Sequence, residues 1–136
     1  VERTFKFAHD RVLVRGRLDY VEDNNGKVTI LDFKTTEGVD GKKAITRVKS
    51  SIQLKIYALA YEKLYGRRPD EIGIYFLENG LVSTIPVTQK VMDEAILAIK
   101  VAEAGIRDHN FKANPKEGAF TCQYCSFNRI CPESLV

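Results

Sequence analysis

The sequence predicts an α/β (α+β) domain, with a mixed central β-sheet that opens as an antiparallel meander and is flanked by helices. Three observations point there. Several short stretches alternate apolar and polar residues with the period of two that marks a strand. Two Asn-Gly pairs, Asn25-Gly26 and Asn79-Gly80, stand where tight turns would join such stretches. Two longer stretches space their apolar residues at helical intervals.

Thr4 to Ala8 puts Phe5 and Phe7 on one face and reads as a short strand, with His9-Asp10-Arg11 as its turn. Val12 to Glu22 reads as one longer strand, with Val12, Val14, Gly16, Leu18 and Tyr20 sharing a parity. Asp23-Asn24-Asn25-Gly26 reverses the chain, because Asn and Gly accept positive φ at low cost. Lys27 to Lys34 returns with Val28, Ile30, Asp32 and Lys34 on one parity, which completes the three-stranded meander. Thr35 to Lys43 carries Gly38 and Gly41 and reads as a loop. Ala44 to Tyr65 reads as a single helix, stopped by Gly66 with Pro69 beyond it. Glu71 to Glu78 and Leu81 to Val87 form a strand pair about Asn79-Gly80. Thr88 is placed to cap a final helix running to about Asp108, with Val91, Ala95, Ile99 and Ala102 as its buried stripe. The expected order is β-β-β-α-β-β-α.

At 136 residues the chain is one domain's worth, long enough for a substantial core. A hydrophobic fraction of 44% and a charged fraction of 29% place it among globular proteins and exclude fibrous and disordered classes. No apolar run approaches the roughly 20 residues that span a bilayer, and no signal peptide opens the sequence, so the expectation is a cytoplasmic protein with no membrane partner. A net charge of +3 permits a polyanionic partner. The start at Val1-Glu2-Arg3, with no initiator methionine, reads as a piece of something longer.

Asp19 and Asp32 fall near the ends of neighbouring strands, close to cross-strand register about the turn. Opposed residues bring their Cβ atoms within roughly 5 Å, so two carboxylates there could share one divalent cation. Lys34 shares the face of Asp32, where an ammonium could orient an attacking water or stabilise a pentacovalent phosphate. Gly16, three residues before Asp19, is expected to leave the backbone open to a bulky ligand. Lys42, Lys43, Arg47, Lys49 and Lys55 follow directly and could face phosphates, without reading base edges. The other cluster is Cys122-Gln123-Tyr124-Cys125 followed by Cys131, which points to metal ligation or redox chemistry sooner than to a disulfide. Three thiolates alone cannot close a tetrahedral site.

Gly16-Arg17-Leu18-Asp19, then Asp32-Phe33-Lys34, then Gln53-Leu54-Lys55-Ile56-Tyr57 stand in the order GxxD, DxK, QxxxY. In this the chain resembles the RecB-like branch of the PD-(D/E)XK nuclease superfamily, over nearly its whole length. The resemblance implies a restriction-endonuclease-like core at residues 1–121, cut short at its N-terminus. It implies Mg²⁺ or Mn²⁺ on Asp19 and Asp32, helped by the backbone carbonyl of Phe33, with Lys34 as the catalytic lysine. Gln53 and Tyr57 would shape the site and hold DNA, and Arg47 and Lys49 would add phosphate contacts. Members of this branch usually carry an upstream histidine in the metal site. His9 falls in a turn and His109 after the last helix, so neither is placed to replace it.

The resemblance also reads residues 122–136 as part of a [4Fe–4S] site, with Cys122, Cys125 and Cys131 as three ligands and a fourth cysteine expected upstream of Val1. Zinc is the fallback. The function implied is a metal-dependent deoxyribonuclease domain for DNA repair or recombination, fused to or partnered with a helicase. The alternatives are a CRISPR-adaptation exonuclease of similar core, and a non-catalytic DNA-binding or scaffolding module of the same fold.

Overall fold

The computed structural model describes residues 2–113, Pro115 and residues 121–136. The strands and helices run β1 (Arg3–His9), β2 (Val12–Leu18), β3 (Tyr20–Asn24), β4 (Lys27–Lys34), α1 (Gly41–Ser50), α2 (Ile52–Tyr65), β5 (Glu71–Phe76), β6 (Leu81–Pro86) and α3 (Gln89–Arg107). By its contacts the chain divides into Val1–Glu103 and Ala104–Val136, each described by itself below.

The expected three-stranded meander is corrected. The stretch from Val12 to Glu22 is two strands, because Asp19 belongs to neither ladder. β2 pairs only with β1, from Arg3↔Leu18 to His9↔Val12, and forms a separate two-stranded sheet. β3 pairs with β4 and starts a four-stranded sheet of order β3-β4-β5-β6. The Asn25-Gly26 turn forms as expected, with φ of 52° and 87°, and the Asp23 carboxylate accepts the Gly26 N–H at 2.8 Å. β4 and β5 run parallel, with Thr29↔Glu71 to Lys34↔Phe76 in register, which makes the sheet mixed. A parallel pair needs a long crossover, and α1 and α2 supply it.

That crossover is also two helices rather than one. Asp40 caps α1 by accepting the Lys43 N–H at 2.8 Å, so the helix starts inside the expected loop. Ser51 sits in extended conformation (φ −73°, ψ 105°) between the two helices. Its N–H donates to the Val48 carbonyl, and its Oγ accepts from the Leu54 N–H at 3.3 Å, so one residue ends α1 and caps α2. Gly66 ends α2 in the left-handed region at φ 72°, as its position predicts.

One face of the four-stranded sheet supplies the core. Val28 and Ile30 of β4 and Ile72, Ile74 and Phe76 of β5 are buried with Ala44 and Val48 of α1 and Leu54, Ala58 and Leu59 of α2. Each of the larger side chains among them, Val, Leu, Ile and Phe, contributes about 1.5–3 kcal/mol by leaving water. Val91, Met92, Ala95 and Ile99 of α3 join that core, whereas Ala102 is exposed, so the buried stripe ends a turn earlier than expected. Thr88 Oγ1 accepts the Val91 N–H at 3.4 Å, in keeping with its expected capping role. Phe76 and Leu81 are joined by a four-residue turn that holds Asn79 and Gly80. No helix among the described residues is long and apolar enough to cross a membrane.

Candidate functional site

The site is built where β4 ends. Asp32 is only 2% exposed, and its neighbours along the same strand face are Ile30 and Lys34. The β3–β4 ladder closes at Tyr20↔Leu31, so Asp19 stands one step further on, opposite Asp32. Asp19 is there because the chain leaves one sheet and enters another at this residue, which frees its carboxylate from either face. One oxygen of that carboxylate accepts the Phe33 N–H at 3.2 Å. The Lys34 ammonium lies 2.7 Å from Asp32 Oδ2 and donates to Gln53 Oε1 at 3.4 Å. Gln53 Nε2 in turn donates to the Tyr57 hydroxyl at 2.7 Å. Gln53 and Tyr57 are one turn apart on α2, which puts both on the side facing β4. Asp19, Asp32, Lys34, Gln53 and Tyr57 are thus brought together.

Their electrostatics follow from burial and crowding. Burial first, and then the neighbouring Asp19 carboxylate, hold Asp32 above the ordinary carboxylate value, and Lys34 opposes the rise. The Tyr57 phenol is pushed up by burial and by the charges of Asp19 and Asp32, against the hydrogen bond from Gln53. Two carboxylates facing each other with one ammonium between them and the helix form an oxygen-rich, net acidic corner. The donor set suits a hard divalent cation, which accepts two carboxylates and keeps its remaining waters. The described residues hold no group of three or more His, Cys, Asp or Glu placed around an ion, so the fit rests on this pair and on backbone oxygens. The Phe33 side chain points to the opposite face of the sheet, where it is 40% exposed between Tyr20 and Tyr75.

Other expectations fall elsewhere. Gly16 does not open a path for a ligand: a Cβ there would lie 2.6 Å from Cζ of Phe5, its cross-strand partner. The position is taken by the Phe5 ring. Lys55 does not face phosphates, since its side chain is buried and pairs with Glu94 of α3 at 2.6 Å. Arg47 and Lys49 are exposed on α1 and joined to the carboxylates by no described hydrogen bond or ion pair. Arg47 lines a surface pocket of about 360 Å³ with Lys42, Lys43 and Thr46. Lys49 borders another, of about 320 Å³, with Lys55, Lys90 and Glu94. His9 is largely buried at the end of β1, its Nε2 without a hydrogen-bond partner, and His109 is exposed.

Sequence reasoning missed Phe5, whose ring meets that of Tyr57 edge-on at 6.0 Å and 78°. A two-residue turn at Asp10-Arg11 fixes the register that sets Phe5 opposite Gly16, so the signal was present in the sequence. In the second unit, Cys122, Cys125 and Cys131 are free thiols that line one pocket of about 150 Å³ with Ala113, Pro115, Thr121 and Glu133. They share a pocket without forming a metal-binding group among the described residues.

A family model for the PD-(D/E)XK nuclease superfamily matches residues 1–132. The chain is similar to an ATP-dependent helicase/nuclease subunit from Bacillus pumilus, 31% identical over 77 residues, which are 52% of this chain and 6% of that protein. It is also similar to the CRISPR-associated exonuclease Cas4 of Saccharolobus solfataricus, 29% identical over 125 residues, or 90% of this chain and 54% of that protein. The chain therefore spans about half of one of these curated relatives and a small part of the other. The crystal structure of SSO0001 matches the whole chain with a TM-score of 0.59 at 20% identity, covering 60% of that structure, a likeness of fold.

Proposed function

The chain belongs to the PD-(D/E)XK nuclease superfamily, and from that membership we propose that it hydrolyses DNA phosphodiester bonds with Mg²⁺ or Mn²⁺, as the nuclease domain of a larger DNA-processing protein. One observation carries the reading: the interruption between β2 and β3 at Asp19 sets its carboxylate opposite buried Asp32, with the Lys34 ammonium 2.7 Å from the latter.

In this reading Asp19 and Asp32 hold the cation, and the Phe33 carbonyl assists. When bound, the cation supplies a lowered pKa for an attacking water and offsets charge on the scissile phosphate. The Lys34 ammonium stands beside Asp32 and would donate to the charge that develops on the phosphate. Gln53 limits where that ammonium can swing, and Tyr57 fixes the Gln53 amide by its hydroxyl. Arg47 and Lys49 contribute to DNA affinity away from the reacting atoms. Asp32→Ala and Lys34→Met should each abolish cleavage in the intact protein, at unchanged fold. Undiminished cutting by either variant would refute the assignment.

The relatives support a partner as well. The likeness to a helicase/nuclease protein supports a helicase joined to this domain or bound to it, in repair or recombination. The longer overlap with the CRISPR-associated exonuclease supports a second reading, a nuclease that acts without a motor. ATP dependence of cleavage by the intact protein separates them. The cysteine tail is proposed as one part of a [4Fe–4S] site, or else of a zinc site, on its spacing. Anaerobic reconstitution of the intact protein should give a broad absorbance lost in Cys125→Ala, and a metal-free protein after reconstitution would refute it.

A further inference from the structure

A line of contacts runs from β1 into the candidate site. Phe5 is buried, at 6% exposed, and its ring occupies the space above Gly16, its cross-strand partner. Any side chain at position 16 would expel the ring, since even a Cβ would stand 2.6 Å from its Cζ. An aromatic ring laid over a glycine in the facing strand is a recognised way to fill the gap a missing side chain leaves. The ring seated there turns its neighbour's edge: Phe5 and Tyr57 meet at 78° and 6.0 Å, within the favourable range for an edge-to-face pair. Tyr57 is itself 7% exposed, and the Phe5 ring is one of the groups that pack against it. Its hydroxyl accepts from Gln53, whose other amide atom accepts from Lys34.

Resting on the nuclease reading above, we propose that Phe5 is a positioning residue for the reaction: its ring, admitted by Gly16, holds Tyr57 and through Gln53 fixes the Lys34 ammonium. Gln53 is exposed, so nothing but Tyr57 and Lys34 restrains its amide among the described contacts. Taking away the ring edge lets Tyr57 tip into the vacated space and releases Gln53. Lys34 keeps its pair with Asp32 but loses its second tether. The loss therefore falls on the alignment of the reacting groups, where a shift of about 1 Å costs up to roughly 100-fold in rate. DNA affinity, which comes from surface charge, is untouched.

The test uses the intact protein and its variants Phe5→Met, Tyr57→Phe and their combination. Met keeps the apolar bulk without a ring edge, and Phe5→Leu serves where the first variant does not fold. Cleavage of a short DNA duplex with Mn²⁺ should show kcat lowered roughly 10- to 100-fold by Phe5→Met, with KM unchanged. The double variant should be no slower than Tyr57→Phe alone, because both changes cut one line of contacts. A wild-type kcat in Phe5→Met, a loss that appears in KM, or losses that multiply would overturn the proposal. Proton exchange of the Gln53 side-chain amide, followed by NMR, reads the same coupling without catalysis. It should quicken in Phe5→Met as in Tyr57→Phe, and equal rates in Phe5→Met and wild type would overturn the proposal. A wild-type intact protein that cuts no DNA refutes the nuclease reading, and the amide exchange then decides the positioning claim alone.

Discussion

Replacing Asp32 by Asn should make the metal-free protein more stable and the metal-bound protein less so. Asp32 is 2% exposed, and its folded pKa lies above the ordinary 3.8 through burial and through Asp19. A raised folded pKa gives stability that is fully present below 3.8 and lost as pH rises through the folded value. At neutral pH the ionised carboxylate therefore costs stability. The Lys34 pair returns only part of that cost, because the Lys34 side chain is 41% exposed and largely solvated. Asn keeps the shape and removes the charge, a gain of about 1 kcal/mol on the scale of ordinary single substitutions. In a chain of this size that raises Tm by roughly 3–5 °C. At pH 3, below the raised value of Asp32, the two proteins should melt together. Added Mn²⁺ at about 100 times its Kd stabilises the wild type by about 2.7 kcal/mol and should leave Asp32→Asn almost unmoved, reversing the order. Calorimetry in EDTA and in Mn²⁺ at pH 3 and pH 7 measures all four states. A wild type that outlasts Asp32→Asn in EDTA at pH 7, or equal shifts with Mn²⁺, would refute the account of a strained acidic pair waiting for a cation.

The basic pocket on α1 makes a second prediction. Changing Lys43 and Arg47 to Gln should flatten the salt dependence of DNA binding by about 0.9 in log–log slope for each phosphate no longer neutralised, read by fluorescence anisotropy with one short duplex. An unchanged slope would show that DNA does not lie on this helix. A third concerns the sheet. A Cβ at Gly73 would stand 2.4 Å from the Ser83 carbonyl oxygen and 2.7 Å from Thr84 Cγ2, and the backbone oxygen cannot yield cheaply. Gly73→Ala should therefore cost about 1–3 kcal/mol in urea unfolding, with no metal dependence.

What was legible in the sequence is what local chemistry dictates. The turn at Asn25-Gly26 sets a register, and that register carries Asp19 to the place opposite Asp32. Parity set Asp32 and Lys34 on the face that α2 covers, and the spacing of Gln53 and Tyr57 turned both toward them. What was not legible depends on partners distant in sequence. Ser51 breaks a helix that periodicity alone carries through, since no apolar position is lost there. Lys55 looks like its neighbours Lys42 and Lys49 until Glu94 arrives from α3 to bury it. Gly16 reads as open space because a glycine says nothing of what fills the gap, and the filler is a phenylalanine eleven positions earlier, across the hairpin. The most consequential of these is Asp19. Pattern placed it inside a continuous strand, where its side chain would be committed to one face. The chain instead passes there from one sheet to another, and a residue outside both ladders can turn its carboxylate to the Phe33 N–H. The interruption that pattern reasoning overlooked is therefore what lets the two carboxylates face each other.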